Sequence, residues 1–200
     1  HTNCDDKSDG EQWAGRLQSY APNNKFQGKG CLKGLISLAK DGSDGVNHFF
    51  VWHAFGGYWA GTSPTDAFAA LKSSTLYPHV TDSMRRMSEG SPVEEEPFAV
   101  EGVGVVHPDA ISEFYNTYHA SLSAMGVDGV KVDAQSAVPI LVDPESDRGG
   151  WERTIAYHKA LKESVVKHFD RDEHNDHNII HCMCHSPQTL LAILALHEAN

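Results

Sequence analysis

Gly126-Val127-Asp128-Gly129-Val130-Lys131-Val132-Asp133-Ala134-Gln135 decides the fold, because it reads as a short buried strand that carries an isolated carboxylate to its end. Val127, Val130 and Val132 are β-branched residues in a run too short for a helix, and Gly126 and Gly129 bracket its entry. With a period of two, Lys131 and Asp133 share one face and Val130 and Val132 the other. In an α/β barrel the valine face packs on helices and the Lys/Asp face points into the mouth where chemistry occurs. A partly buried carboxylate near an ammonium stays ionised, as a nucleophile must. Taken alone, V-K-V-D also reads as a strand-end salt bridge or a helix cap, and that plainer reading is the commoner one.

Working outward, a helix precedes this strand. Pro108 opens it with Asp109 and Glu113 close behind, Ile111, Phe114, Tyr115, Tyr118, Leu122 and Met125 form its apolar stripe, and Gly126 ends it. Beyond the strand, a turn at Arg148-Gly149-Gly150 leads to a helix carrying Tyr157, Leu161, Val165 and Phe169 at four-residue steps, with Asp170 to Asp176 as its exit loop. Asn178 to His185 reads as another strand, and Ser186-Pro187 caps a final apolar helix. Toward the N-terminus, His48 to His53 reads as a strand breaking into Gly56-Gly57, preceded by a helix over Cys31 to Lys40 on Leu32, Leu35, Ile36 and Ala39. Residues 1–30 are polar and Gly/Asn-rich and read as loop. The sum is α/β: three β/α units and a leading helix, less than half of a (β/α)8 TIM barrel, which cannot close by itself. Residues 1–200 are then one stretch of a single catalytic barrel domain, and 65–100 an insertion on its rim.

Composition limits the partners. A net charge of −11 over 200 residues argues against nucleic acid or an anionic membrane. No stretch approaches the roughly 20 apolar residues of a membrane span. Four cysteines at irregular spacing, Cys4, Cys31, Cys182 and Cys184, make no disulfide framework and favour a reducing, cytoplasmic compartment. The absence of an initiator Met, and an end at Ala199-Asn200 within a helical pattern, read as an internal piece of a longer protein.

Two clusters invite other chemistry. Glu94-Glu95-Glu96 between Pro92 and Pro97 resembles a carboxylate site, but consecutive glutamates between prolines read as solvated loop. His174, His177, His181, Cys182, Cys184 and His185 are a dense set of soft ligands of the kind a zinc module uses. C-x-C is not the C-x2-C knuckle, however, and alternating strand faces would separate Cys182 and Cys184 from His181 and His185, so no metal is assigned.

Four blocks in order carry a family resemblance: Val51-Trp52-His53-Ala54-Phe55-Gly56-Gly57-Tyr58-Trp59, Gly102-Val103-Gly104-Val105-Val106 with the following helix, Gly126 to Gln135, and Cys182-Met183-Cys184-His185. With them the chain resembles the raffinose synthase and seed imbibition protein branch of the α-galactosidase-like glycoside hydrolases. The resemblance runs from about Gln12 to His185 and is weakest over Thr65 to Val100. It implies that Asp133 is the catalytic nucleophile and that Lys131 binds the sugar. It also raises Trp52, His53, Tyr58 and Trp59 to pocket lining, since aromatic faces suit the apolar face of a galactose ring, and it makes Cys182 and His185 binding residues. Ala60 departs from the family, whose members commonly carry Gly there.

The reaction implied is retaining α-galactosyl transfer through a covalent intermediate, without metal or organic cofactor. Galactinol is the donor and sucrose the acceptor, with α-galactoside hydrolysis and inactive sugar binding as alternatives. The family's D-D-G-W block is absent. The Gly10-Glu11-Gln12 and Arg16-Leu17 matches put it upstream of His1, which leaves Asp5 and Asp6 as loop residues. The general acid/base, in an R-x-S-D-D-like block after C-M-C-H in relatives, has no counterpart here; Glu198 is the one carboxylate near that point.

Overall fold

Three short runs rich in β-branched and aromatic residues form the central sheet. In a computed structural model, which describes residues 2–4, 15–22, 26, 31–64, 66–87, 92–143, 150–170 and 178–197, the elements in chain order are β1 (Thr2–Cys4), β2 (Leu17–Pro22), α1 (Cys31–Lys40), β3 (Phe50–Ala54), α2 (Asp66–Ala69), β4 (Ser74–Pro78), α3 (Asp82–Met87), α4 (Pro97–Val100), β5 (Val103–Val105), α5 (Ile111–Ala124), β6 (Gly129–Asp133), β7 (Leu141–Val142), α6 (Gly150–Phe169), β8 (Ile179–His181) and α7 (Pro187–His197). Asp5, Asp6, the Arg148-Gly149 turn, the run after Asp170 with His174 and His177, and Glu198 lie outside the described residues.

β3, β6 and β8 pair in parallel with β6 in the middle. Phe50 lies opposite Gly129 and Ala54 opposite Asp133; Val130 to Val132 run opposite Ile179 to His181. Val130 and Val132 are fully buried against Tyr115, Tyr118 and Leu122 of α5 and Tyr157, Leu161, Val165 and Phe169 of α6, so the stripes read from the sequence are the helix faces that close this core. The chain is thus mixed α/β with an open parallel sheet.

A second sheet, β5-β4-β7, is antiparallel and has its own small core of Leu76, Val103, Val105, Leu141 and Phe98. Its junction with the loop after β3 is made by two glycines. A Cβ on Gly61 would sit 1.8 Å from the Gly104 carbonyl oxygen, and one on Gly104 would sit 1.7 Å from the Thr62 oxygen.

Two expectations need correction. Residues 1–30 are not all loop, because Leu17–Pro22 pairs antiparallel with Thr2–Cys4. Leu17 is fully buried and its N–H donates to Gly61 O at 2.8 Å, so this strand is stabilised by tertiary pairing that no local pattern announces. The last strand stops at His181, since Met183 takes a left-handed φ of 47° and turns the chain before Cys184 and His185. The alternation argument for the Cys and His residues therefore does not apply there. Glu94 and Glu95 are exposed, in a short 3-10 turn, with Glu94 paired to Arg85.

Behind β3 the core holds a polar relay. His53 Nδ1–H donates to Ala54 O at 2.8 Å, which leaves Nε2 to accept from His119 Nε2–H at 3.2 Å; His119 Nδ1 then accepts from the Ser164 hydroxyl at 2.9 Å. Both imidazoles are neutral. Burial pushes His53 down to about 4 and His119 well below its ordinary value, and burial likewise pushes His158 down to about 3. These groups stabilise the fold above the unfolded imidazole value near 6.5, and the contribution fades as pH falls, because the unfolded chain takes up protons that the folded one refuses. The urea midpoint should therefore drop between pH 6.5 and 5, with the unfolding free energy falling by on the order of a few kcal/mol in total. A midpoint flat across that window would mean that these histidines titrate normally in the fold.

Candidate active site

The parallel register brings the C-terminal ends of β3, β6 and β8 together, and Asp133 is the last residue of the central strand. The residue is 6 % exposed and its carboxylate is surrounded by donors. Trp52 Nε1–H donates to Oδ2 at 3.0 Å and the Ala134 N–H to Oδ1 at 2.8 Å. The Cys182 thiol supplies a further hydrogen bond, and Lys131 adds a favourable charge. Burial alone pushes this carboxyl up. The Trp52, Ala134 and Cys182 donors and the Lys131 charge outweigh it, so the net shift is downward and Asp133 is an anion at neutral pH.

Aromatic surface lines this carboxylate's neighbourhood. The Trp52 ring meets Tyr58 edge-on at 5.8 Å between centroids and Trp59 at a tilt at 4.9 Å. Both come from the loop after β3, held by Thr62 N–H to Gly104 O at 3.0 Å and Gly104 N–H to Ala60 O at 2.8 Å. The result is a half-buried aromatic wall beside an anion whose orientation is fixed. That pairing suits a polyol ring, with an apolar face to stack and hydroxyls to bond.

Of the residues singled out in the sequence, Asp133, Trp52, Tyr58, Trp59, Cys182 and Lys131 gather here. His53 does not. It is 1 % exposed and faces α5 on the opposite side of β3, as alternation from Trp52 requires. His185 is exposed on the turn after β8. Among the described residues no three His, Cys, Asp or Glu side chains converge so as to hold a metal ion. No helix among them is long and apolar enough to cross a membrane.

Two contributors escaped the sequence reading. Ala134 donates its N–H to Asp133 and sits at a left-handed φ of 54° as the chain leaves β6. Alanine rarely adopts this conformation, so nothing local signals it. Gln135 is fully buried, with its amide bonded to Val132 O and His181; an amide ending the strand block was the available sign.

Fold and site define a class: an α/β protein whose parallel strands deliver a donor-ringed carboxylate and an aromatic wall to one edge. Within that class, the chain belongs to the family described as raffinose synthase or seed imbibition protein Sip1, whose sequence model matches residues 2–196. It is 32 % identical over 180 residues to a probable galactinol–sucrose galactosyltransferase 6 of Arabidopsis thaliana, covering 88 % of this chain and 22 % of that protein. With the galactinol–sucrose galactosyltransferase of Pisum sativum it shares 34 % over 170 residues, covering 81 % and 21 %. The stachyose synthase of Pisum sativum is 27 % identical over 168 residues, covering 83 % and 18 %. The chain thus spans about a fifth of the length of the curated relatives it matches.

Replacing Trp52 with Phe keeps the ring stack and removes one donor from Asp133. The carboxyl pKa, followed by carbon-13 NMR, should rise. An unchanged titration would mean that the indole N–H does not stabilise the anion.

Proposed function

We propose that the protein carrying this chain transfers α-galactosyl groups with retention, Asp133 being the nucleophile. The observation that carries this reading is the Asp133 carboxylate itself, held anionic and oriented at both oxygens by Trp52 Nε1–H and Ala134 N–H at the strand ends. An Oδ atom attacks the anomeric carbon, the glycosidic bond to the leaving oxygen breaks, and a galactosyl ester on Asp133 forms. A hydroxyl of the acceptor then displaces the carboxylate. Lys131 holds a sugar hydroxyl, and Trp52, Tyr58 and Trp59 form the stacking wall, with Cys182 at its edge.

Such a mechanism needs a second carboxyl about 5 to 5.5 Å from the first, to protonate the leaving oxygen and later deprotonate the acceptor. That group is assigned to chain outside the described residues, as is completion of the sheet into a (β/α)8 barrel. Galactinol as donor and sucrose as acceptor follow the relatives' names, and residues 65–100 shape the acceptor side. Hydrolysis by water shares the same intermediate, and the acceptor site alone separates the two outcomes.

Treating the intact protein with a 2-fluoro-galactosyl trap should add one 2-deoxy-2-fluorogalactosyl mass to the peptide containing Asp133, and Asp133→Asn should abolish it. Galactinol with sucrose should then yield the trisaccharide. Free galactose as sole product would replace transfer by hydrolysis, and absence of any label would leave only sugar binding.

A further inference from the structure

The turns after β6 and β8 are stitched together residue by residue. Val132 O accepts two hydrogen bonds, from the Cys182 N–H at 2.9 Å and from Gln135 Nε2–H at 2.8 Å. The same Gln135 amide meets His181 Nδ1, at 3.0 Å from Nε2 and 3.1 Å from Oε1, so either imidazole tautomer finds a partner. One residue further on, Ser136 N–H donates to Met183 O at 2.9 Å, and Ser186 N–H donates to Ser136 Oγ at 3.2 Å. Residues 181, 182 and 183 are each bonded to the segment 132–136.

Two residues within this stitching are strained. Ala134 and Met183, neither of them glycine, take φ of 54° and 47°. A left-handed conformation costs about 1–2 kcal/mol at an ordinary residue. Strain of this kind persists where the surroundings over-determine the backbone, and here it directly flanks Asp133 and Cys182. Gln135 is the only long polar side chain at this seam that is fully buried among the described residues, and both ends of its amide are engaged.

We propose that Gln135 is a positioning residue: by clamping His181 to the end of β6 it sets the Cys182 thiol against the Asp133 carboxylate. This rests on the reading of Asp133 as nucleophile and deepens it. The clamp acts on orientation and not on sugar affinity, because Gln135 is fully buried and its amide is taken up by Val132 O and His181. Its loss frees the Cys182 turn to relax toward unstrained backbone, taking a donor off the carboxylate.

The test uses the intact protein with Gln135→Met, which keeps volume and removes the amide, His181→Phe, which removes the other half of the clamp, Cys182→Ala, and the Gln135→Met/Cys182→Ala double variant. Both clamp variants should lower kcat about tenfold or more with KM within about twofold, and should move the acid limb of the kcat profile to higher pH. The double variant should be no worse than the poorer single one, since both changes remove the same contact. The Asp133 carboxyl titration, read by NMR without substrate, should rise in every variant. That readout separates the two ideas: a shifted titration with no trap label on wild-type Asp133 sinks the galactosyl reading and leaves the clamp standing. A label with unchanged titration and kcat in folded Gln135→Met and His181→Phe sinks the clamp alone. Multiplicative losses in the double variant, or unfolding of both clamp variants, overturn it equally, because Gln135 would then act independently of Cys182 or only on the fold.

Discussion

The register between β3 and β6 is the constraint on which the site depends. With Ala54 opposite Asp133 and Trp52 opposite Lys131, the indole, the ammonium and the carboxylate share one face of the sheet. A slip of one residue would put Trp52 among the helices and His53 in its place. The register is set at the other end of the strand. Asp128 accepts the Phe49 N–H at 2.7 Å and pairs with Lys40 at 2.5 Å. Gly129 lies under Phe50 so closely that a Cβ would stand 2.6 Å from the ring and 2.4 Å from Asn178 O. One aspartate on this strand holds the alignment and the other uses it.

The wall of the site is assembled from segments far apart in sequence. The loop bearing Tyr58 and Trp59 is bonded to Gly15 through Ala60 N–H at 2.9 Å, to Leu17 through Gly61 O and Ser63 N–H, and to β5 through Gly104. The bare glycine faces at 61 and 104 are what let those backbones meet. An aromatic loop tied in this way presents its rings at little conformational cost on binding.

The legible parts of the sequence were those governed by local periodicity. The α5 and α6 stripes, the 31–40 helix, the Ser186 cap with Thr189 N–H at 3.2 Å from its hydroxyl, and the V-K-V-D alternation all follow from side chains that choose a face. β2 and β4 were not legible, because partners distant in the chain stabilise them, and neither was the early end of β8, where Met183 turns the backbone. His53 shows the same boundary within the site. The family blocks group it with Trp52, Tyr58 and Trp59, yet adjacent strand residues point apart, and the relay with His119 and Ser164 takes it into the core. Lys131 and Asp133 were readable as a pair; the Ala134 N–H donor was not.

The electrostatics of Asp133 explain why such backbone geometry matters. Among the groups that favour the anion, the Lys131 charge contributes least, after the indole, the Ala134 amide and the thiol. An ion pair at contact distance would also hold the carboxylate ionised, but it would compete with any electrophile for the same lone pairs. Hydrogen bonds from fixed dipoles act differently. With the indole N–H on Oδ2, the Ala134 N–H on Oδ1 and the Cys182 thiol beside them, rotation of the carboxyl group is arrested. A carboxylate held in this way would need little reorganisation to act as a nucleophile, and the left-handed Ala134 next to it turns the chain out of β6.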